Sequence, residues 1–104
     1  MKVVYTPRAE ADLVRHFNYG VERFGRGVAE RTLARLSGFL DPFLVTYPRT
    51  ARFHREIDAF ETWVPKTPFV IFFRLEPEND TLRVLAIFHA AQDRTQFDPG
   101  TSDE

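Results

Sequence analysis

Two arginines and one histidine inside an apolar run are the residues of this chain best suited to chemistry. They are Arg74, Arg83 and His89, all within the stretch from Pro68 to Asp93. A guanidinium binds anions through a fixed set of N–H groups, and an imidazole can exchange a proton near neutral pH. His89 is therefore the candidate for acid–base catalysis, although a histidine at a strand end is more often a hydrogen-bonded structural residue.

Other kinds of site find little support in the sequence. The three histidines, His16, His54 and His89, lack the spacing of metal ligands, and the chain contains no cysteine. No glycine-rich phosphate loop follows a strand, and Ser37 lies inside a predicted helix. We therefore predict no metal site, no cofactor and no serine nucleophile.

A second group of cations lies in the short segment that runs from Arg49 to Arg55. It contains Arg49, Arg52, His54 and Arg55 and no acidic residue. Two interpretations stay open, a solvated basic loop and a patch that faces an anion. The chain as a whole has a net charge of −1, so we expect no general attraction to nucleic acid and no sequence-specific nucleic-acid binding.

Two helices are predicted to position these residues. Thr6 and Pro7 are typical of an N-cap and a first helical residue, and Gly25 is typical of a helix end. Apolar residues recur three or four apart in both helices. In the first they are Ala9, Leu13, Phe17, Val21 and Phe24; in the second they are Ala29, Leu33, Leu36, Leu40 and Phe43. Gly20 weakens the first helix, and Asp41-Pro42 interrupts the second.

The order of the elements predicts an α+β domain in which a helical hairpin packs on a mostly antiparallel four-stranded sheet. The strands are Lys2 to Thr6, Phe60 to Val64 and the two strands of the Pro68–Asp93 run, and residues 49–59 are predicted to be a loop. Residues 1–95 form the domain and residues 96–104 an acidic, disordered tail. The chain shows neither a signal-peptide pattern nor a membrane-spanning run, so we expect a cytoplasmic protein.

Side-chain alternation predicts which residues share a face of the last two strands. A turn of two or four residues puts Arg74, Arg83 and His89 on one face, together with Val70, Phe72, Leu85 and Ile87. A turn of three or five residues would bury Arg74, which is costly. The two-residue turn is favoured because it sets Glu76 opposite Arg83, a pair of opposite charges. A four-residue turn would set Arg74 opposite Arg83, and these like charges repel. We expect this half-apolar, half-basic face to lie away from the helices and to await a partner.

The chain resembles the RelE/ParE superfamily, and within it the ParE-like branch. The resemblance lies in three stretches: the Thr-Pro-x-Ala-x-x-Asp-Leu pattern from Thr6 to Leu13, the second helix with its Tyr47-Pro48 end, and a closing hairpin whose last strand ends in His89. It spans about residues 3–94. This sequence departs from the pattern at Gln92, where an arginine is usual, and at Gly20.

The resemblance implies the toxin of a type II toxin–antitoxin pair in bacteria, with an antitoxin partner in a hetero-oligomer and DNA gyrase as its target. Residues expected to bind target or antitoxin are Val70, Phe72, Arg74, Arg83, Leu85, Ile87, His89 and Arg94. The alternatives are a RelE-like endonuclease that cuts mRNA on the ribosome, with His89 as acid or base, and a non-toxic interaction module. In the RNA-cleaving pattern this position of the strand is an arginine preceded by several lysines, whereas this chain has Val70 there, preceded only by Lys66. Because such cations would stabilise charge on the scissile phosphate, the ParE-like interpretation is favoured.

Overall fold

The computed structural model describes residues 1–100 and contains two helices against one face of a five-stranded sheet. The helices are α1, Pro7–Phe24, and α2, Arg26–Gly38. The strands are β1, Lys2–Tyr5; β2, Arg52–His54; β3, Ala59–Trp63; β4, Phe69–Glu76; and β5, Thr81–His89. The α+β class and the order of the elements are confirmed, and the sheet has one strand more than predicted.

The sheet has the strand order β1-β5-β4-β3-β2. Its pairs are antiparallel except that β1 runs parallel to β5, with Lys2 opposite Thr81. The additional strand is β2, which lies in the segment predicted to be a loop and pairs with β3 over only three residues. A strand this short contains too few residues to show an alternating pattern, so sequence periodicity could not reveal it.

The helical hairpin begins and turns as the sequence predicts. The hydroxyl of Thr6 accepts a hydrogen bond from the Ala9 N–H at 3.1 Å and caps α1. Gly25 separates the helices with a positive φ of 93°, which only glycine adopts without strain. Beyond α2 the helical path continues over Phe39–Leu44 and is interrupted at Asp41, whose φ and ψ of −138° and 113° are extended.

The main core lies between the helices and the sheet. Its fully buried members include Leu36 and Leu40 from the α2 side and Ile71, Phe73 and Val84 from the sheet. A smaller cluster fills the opposite side of the sheet, which we call the far face. It contains Ala59, Phe72, Leu85, Ala86 and Phe88. Both faces of the two central strands are therefore buried.

The C-terminal segment, residues 90–100, covers the far face. The Phe97 ring lies 4.7 Å from the Phe72 ring and 5.4 Å from the Phe88 ring, measured between centroids. The Gly100 carbonyl accepts a hydrogen bond from Arg74 Nη2 at 2.9 Å. Residues 96–100 are thus packed and hydrogen-bonded, in contrast to the disordered tail expected there; the rest of that predicted tail, residues 101–104, lies outside the described residues.

Candidate functional site

The hairpin of β4 and β5 contains a β-bulge that changes which residues share a face. Phe72 is opposite Ala86 and Phe73 is opposite Val84, so Leu85 has no partner on β4. An extra residue in one strand reverses the alternation of every side chain beyond it. Ile87 and His89 consequently point to the helix side, whereas Arg74 and Arg83 lie on the other side, in the half of the hairpin next to the turn.

The prediction that Arg74, Arg83 and His89 share one face is therefore wrong. Four apolar members of the predicted binding face are also unavailable, because Val70, Phe72, Leu85 and Ile87 are buried within the chain. The prediction assumed that alternation continues without a break to the end of β5. It also assumed that nothing in the chain covers the far face, whereas Phe97 packs there.

The turn of this hairpin has four residues, Pro77 to Asp80, and not the favoured two. Arg74 and Arg83 do lie opposite one another, as that turn requires. The carboxylate of Glu76, which lies diagonally across the hairpin from Arg83, offsets the repulsion between the two arginines. It accepts hydrogen bonds from Arg83 Nε and Nη2 at 2.7 and 3.0 Å. The hydrogen bond from Arg83, helped by one from Asn79, holds the pKa of Glu76 below its ordinary value.

Arg74 is held by backbone carbonyls rather than directed to a ligand. Its Nε donates to the Asp58 carbonyl at 2.8 Å, and its Nη2 donates to the carbonyls of Ile57 and Gly100 at 3.0 and 2.9 Å. The guanidinium thereby joins the turn after β2 to the C-terminal segment. Its observed contacts are those of a structural residue on the far face, distant from His89 in the sheet.

The short β1 leaves the edge of β5 open beyond Tyr5, and side chains of Thr6 and of α1 hydrogen-bond to the backbone groups exposed there. Thr6 Oγ1 donates to the Leu85 carbonyl at 3.0 Å, and Asp12 Oδ2 accepts from the Ile87 N–H at 2.9 Å. His16 Nε2 lies 2.9 Å from the Ile87 carbonyl, which can only accept, so Nε2 is the protonated nitrogen. These contacts satisfy backbone groups that the bulge and the end of β1 leave without a strand partner.

Sequence reasoning missed the role of Asp12. Asp12 is not a member of the apolar stripe predicted for α1, yet it is fully buried. Besides the Ile87 N–H, its carboxylate accepts hydrogen bonds from Arg8 Nε at 3.0 Å and from Arg15 Nη2 at 2.7 Å. Two sequence signals mark it: Asp12 is the acid of the Thr-Pro-x-Ala-x-x-Asp-Leu pattern, and it lies four residues after one arginine and three before another.

A groove opens between α1 and α2 and reaches the ends of β4 and β5. We call it the helical groove; it encloses about 290 Å³ and its defining residues are His16, Tyr19, Phe24, Val28, Phe69 and His89. Tyr19 and Phe24 are 49% and 61% exposed, so large apolar side chains line its rim without burial. None of the described residues that line it is Asp, Glu, Lys or Arg.

His89 lies at the sheet end of the helical groove, where its ring contacts Phe69 edge-on at 6.4 Å. The Ala91 N–H donates to His89 Nδ1 at 3.1 Å. A backbone N–H can only donate, so Nδ1 accepts and Nε2 carries the proton of the neutral ring. The neutral imidazole thus offers a donor, and no acceptor, at its remaining nitrogen.

His16 forms the floor of the groove on the α1 side, with its ring 5.0 Å from the Phe69 ring. Burial lowers the pKa of His16, although its hydrogen bond to the Ile87 carbonyl acts in the opposite direction. The nearby charge of Arg15 lowers this pKa further, and that of Asp12 raises it. The neutral ring is the form that this environment favours.

The predicted basic segment is divided by the strand it forms. The His54 side chain is directed to the neighbouring strand, where its Nε2 lies 2.6 Å from Glu61 Oε1. Arg49 lines a separate cleft of about 350 Å³ with Phe53 and Phe60. Arg49, Arg52 and Arg55 are exposed, and none of the three forms an ion pair within residues 1–100.

Arg94 joins His54 on the same carboxylate, with its Nε 2.6 Å from Glu61 Oε2 and its guanidinium 5.5 Å from the Trp63 ring centroid. Burial alone would raise the pKa of Glu61, but the hydrogen bonds from Arg94 and His54 outweigh it and lower the pKa. Arg94 therefore anchors the C-terminal segment to β3.

Two further tests of the described residues concern metals and membranes. No three His, Cys, Asp or Glu side chains within residues 1–100 are grouped so that they could hold a metal ion. Neither helix of that part of the chain is long and apolar enough to cross a membrane.

Comparison with known proteins gives one family match and several related folds. Residues 3–94 match the family model of the ParE toxin of type II toxin–antitoxin systems. A chain of the chromosomal ParDE system from P. aeruginosa is 19% identical and superposes with a TM-score of 0.71, over 86% of this chain and 95% of that chain. No significant match was found among curated proteins.

Two RelE-type structures are also similar. A chain of the RelBE2 toxin–antitoxin complex from Mycobacterium tuberculosis has a TM-score of 0.63 and 21% identity, over 88% of this chain and 92% of that chain. The isolated E. coli RelE toxin has a TM-score of 0.51 and 13% identity, over 88% of this chain and 85% of that chain. At these identities the structural likenesses establish a shared fold.

Proposed function

Because this chain belongs to the ParE toxin family of type II toxin–antitoxin systems, we propose that it inhibits DNA gyrase by binding and that a cognate antitoxin neutralises it. Gyrase acts in the bacterial cytoplasm, so the proposal places the chain there. The toxin and its antitoxin would form a hetero-oligomer. No cofactor is required for inhibition by binding.

The separation of His89 from Arg74 is the observation that supports binding over catalysis. Cleavage of RNA builds negative charge on the scissile phosphate, which nucleases stabilise with nearby cations. His89 lines a groove without Lys or Arg among its described lining residues, and the guanidinium of Arg74 donates to carbonyls on the far face. An apolar groove with one histidine donor is suited to holding a partner rather than a phosphate.

The RelE-like alternative keeps His89 as its proton donor. The imidazole is partly exposed and its Nε2 has no hydrogen-bond partner among residues 1–100. A protonated Nε2 could act as a general acid toward a leaving oxygen. This alternative predicts cuts in mRNA within a translation extract that disappear in His89→Ala.

The test is a supercoiling assay with purified gyrase, relaxed plasmid and ATP. We expect the wild-type chain to abolish supercoiling or to trap cleaved DNA, and induction in bacteria to arrest growth. If gyrase is unaffected at a high excess of the chain and mRNA is cleaved in a way that depends on His89, the gyrase proposal is wrong and the chain is a nuclease. If expression is harmless and neither activity is detected, the remaining hypothesis is a non-toxic interaction module of the same fold.

The antitoxin part of the proposal has its own test. A short reading frame next to the gene for this chain should encode a protein that restores growth and co-purifies with the chain. Failure of every neighbouring product to rescue growth contradicts neutralisation by a cognate partner, whatever the gyrase assay gives.

A further inference from the structure

The sheet edge formed by β2 carries exposed arginines and exposed aromatic rings together. We call this surface the basic edge; its defining residues are Arg49, Arg52, Phe53, Arg55 and Trp63. We propose that the chain binds gyrase through the basic edge, which docks on a carboxylate-rich surface of that enzyme with a pocket for the Trp63 ring. This inference rests on the proposed gyrase target, and it assigns that target a place on the chain.

Strand register places Arg52 and Trp63 on the same side of the sheet. Arg52 lies directly opposite Glu61, and Trp63 follows Glu61 by two residues, so all three side chains lie on the far face. Because β2 pairs with β3 only as far as Glu61, no strand flanks Trp63 on that side, and Trp63 is 55% exposed. The guanidinium of Arg94 lies 5.5 Å from its ring centroid. The basic edge therefore presents a large ring that is supported from within the chain.

The carboxylate opposite Arg52 is already engaged by other cations. Glu61 Oε1 lies 2.6 Å from His54 Nε2, and Glu61 Oε2 accepts a hydrogen bond from Arg94 Nε at 2.6 Å. Arg52 forms no ion pair with it, or with any other acid in the described part of the chain. The exposed guanidinium of Arg52 is thus available to a carboxylate from another molecule.

The helix side of β2 repeats this combination of an arginine with a supported ring. Phe53 is 48% exposed, and its ring packs on the Phe60 ring with the centroids 4.9 Å apart. Arg49 and Phe53 line the same cleft. Asp58 lines it too, but its carboxylate lies 4.0 Å from Arg74 Nε, and Arg49 has no ion pair among residues 1–100. Each side of the edge strand therefore offers one arginine and one ring.

The residue types favour a protein as the occupant. Protein interfaces are enriched in Trp, Phe and Arg and depleted in Lys, Glu and Asp. Residues 49–55 contain three arginines and no Lys, Asp or Glu. Domains that bind nucleic acid usually carry a clear excess of positive charge, whereas this chain has a net charge of −1.

Charge also defines the chemistry of the partner. A second copy of the chain would set arginines against arginines across a two-fold axis, and these like charges repel. A surface rich in carboxylates complements the three guanidinium groups, and buried aromatic and arginine side chains are the residues that most often dominate the affinity of a protein complex.

The charge part of the inference is tested with two double variants that change the net charge equally. Arg49→Glu/Arg52→Glu reverses two charges of the basic edge, and Arg31→Glu/Arg35→Glu reverses two exposed charges of α2. Surface plasmon resonance measures the Kd for purified gyrase, and the supercoiling assay measures inhibition. We expect the edge variant to be weaker by at least about tenfold in both measurements and the α2 variant to stay within about twofold of wild type. Thermal unfolding checks that each variant is folded.

The ring part is tested with Trp63. Trp63→Ala should raise the Kd for gyrase by at least about tenfold, whereas Trp63→Phe keeps an aromatic ring and should stay within a few-fold of wild type. Val14→Ala is the control, since Val14 is a 59% exposed apolar residue on α1. Equal affinity of Trp63→Ala and Val14→Ala would show that the ring is not part of the interface.

Salt dependence gives an independent readout of the arginines. Added salt screens attraction between exposed charges, so the Kd of the wild-type chain for gyrase should rise with salt concentration. The edge double variant should show a shallower rise than the α2 double variant. Equal salt dependence of the two variants would contradict a contact between the basic edge and carboxylates.

The outcomes separate this inference from the proposed function. If the wild-type chain does not bind gyrase, the proposed function itself is wrong. If it binds and both double variants bind equally well, gyrase inhibition stands and the basic edge is not the docking surface. Binding of the wild-type chain to a labelled DNA oligonucleotide without gyrase, lost in the edge variant, would make nucleic acid the occupant and overturn the inference. An edge variant that loses its antitoxin and still inhibits gyrase would also overturn it.

Discussion

At the scale of single residues, Asp12 joins the first helix to the last strand. Its buried carboxylate accepts hydrogen bonds from the Ile87 N–H, Arg8 and Arg15. The two guanidinium groups are about half exposed, at 49% and 55%, so water retains part of their solvation. The contact with Ile87 is the one that water cannot replace, because Ile87 and the Asp12 carboxylate are both buried.

We expect Asp12→Ala to lower the free energy of unfolding by about 2 kcal/mol, the typical cost of leaving one buried amide without an acceptor. Asp12→Asn, which can still accept from the Ile87 N–H, should lose less. Urea unfolding measures both values. Glu22→Ala is the control, since Glu22 is exposed on the same helix. A loss for Asp12→Ala no larger than for Glu22→Ala would contradict this role.

The sequence predicted some of these residue roles and not others. Thr6 was expected to cap α1, and it does so, because capping depends on the local Thr-Pro pattern alone. Its second hydrogen bond, to the Leu85 carbonyl, joins residues 79 positions apart. Such a contact exists only because β1 ends early beside a bulged strand, and neither feature has a local signature.

At the scale of elements, the β4–β5 hairpin shows how far alternation can be trusted. Turns of two and four residues give the same parity, so the turn-proximal half was assigned to the correct faces although the turn length was wrong. The bulge at Leu85 then reversed the assignment of Ile87 and His89. A bulge inserts one residue into an unbroken apolar run, and every residue from Val84 to Phe88 is apolar, so composition could not locate it.

Two glycines of the helical hairpin, Gly20 and Gly25, should respond in opposite ways to substitution. A Cβ added at Gly20 would lie 3.5 Å from Ala29 Cβ, an ordinary contact, so Gly20→Ala should raise the free energy of unfolding by up to about 1 kcal/mol. Gly25 has a φ of 93°, so Gly25→Ala should lower it by about 1–3 kcal/mol.

Thermal and urea unfolding of the two variants in parallel make this comparison. Destabilisation by Gly20→Ala would mean that α1 and α2 pack more tightly at this point than the 3.5 Å contact implies. Gly20 also lines the helical groove, so the methyl group added in Gly20→Ala should change the lining of that groove as well as the stability.

At the scale of the whole molecule, the C-terminal segment completes the fold. Arg94 attaches it to Glu61, and Phe97 packs on Phe72 and Phe88. The guanidinium of Arg8 lies 5.1 Å from the Phe88 ring and 5.6 Å from the Phe97 ring, which adds α1 to the same contact. The matched family region ends at residue 94, so Phe97 lies just beyond it.

Removal of the Phe97 ring should expose apolar surface on the far face. The ring is only partly buried, so we expect Phe97→Ala to lower the free energy of unfolding by about 1–2 kcal/mol, less than a core phenylalanine. Binding of a hydrophobic dye to the native protein should rise at the same time. Phe24→Ala, at a residue 61% exposed, is the control for stability. Equal stability of the two variants would show that Phe97 is not a structural anchor.

Fold class could be predicted for the whole molecule because long periodic helices and apolar strands carry strong local signals. The far-face cover could not, because "FDPGTSDE" is polar and rich in turn residues apart from Phe97. One aromatic ring is enough to seal a small cluster when a neighbouring arginine fixes the path of the chain. The predicted site was a sheet face, which Phe97 covers, and the bulge at Leu85 turns His89 away from that face. The candidate site is therefore the groove on the helix side.

The pairing of the first strand with the last constrains how the protein is made. Lys2 lies opposite Thr81, the Thr6 side chain reaches Leu85, and the Asp12 side chain of α1 reaches Ile87. In a nascent chain β1 therefore has no strand partner until Thr81–His89 has been synthesised, and such distant pairing slows folding. His89 lines the helical groove together with residues of both helices, so a nascent chain that ends before His89 has not yet formed the groove.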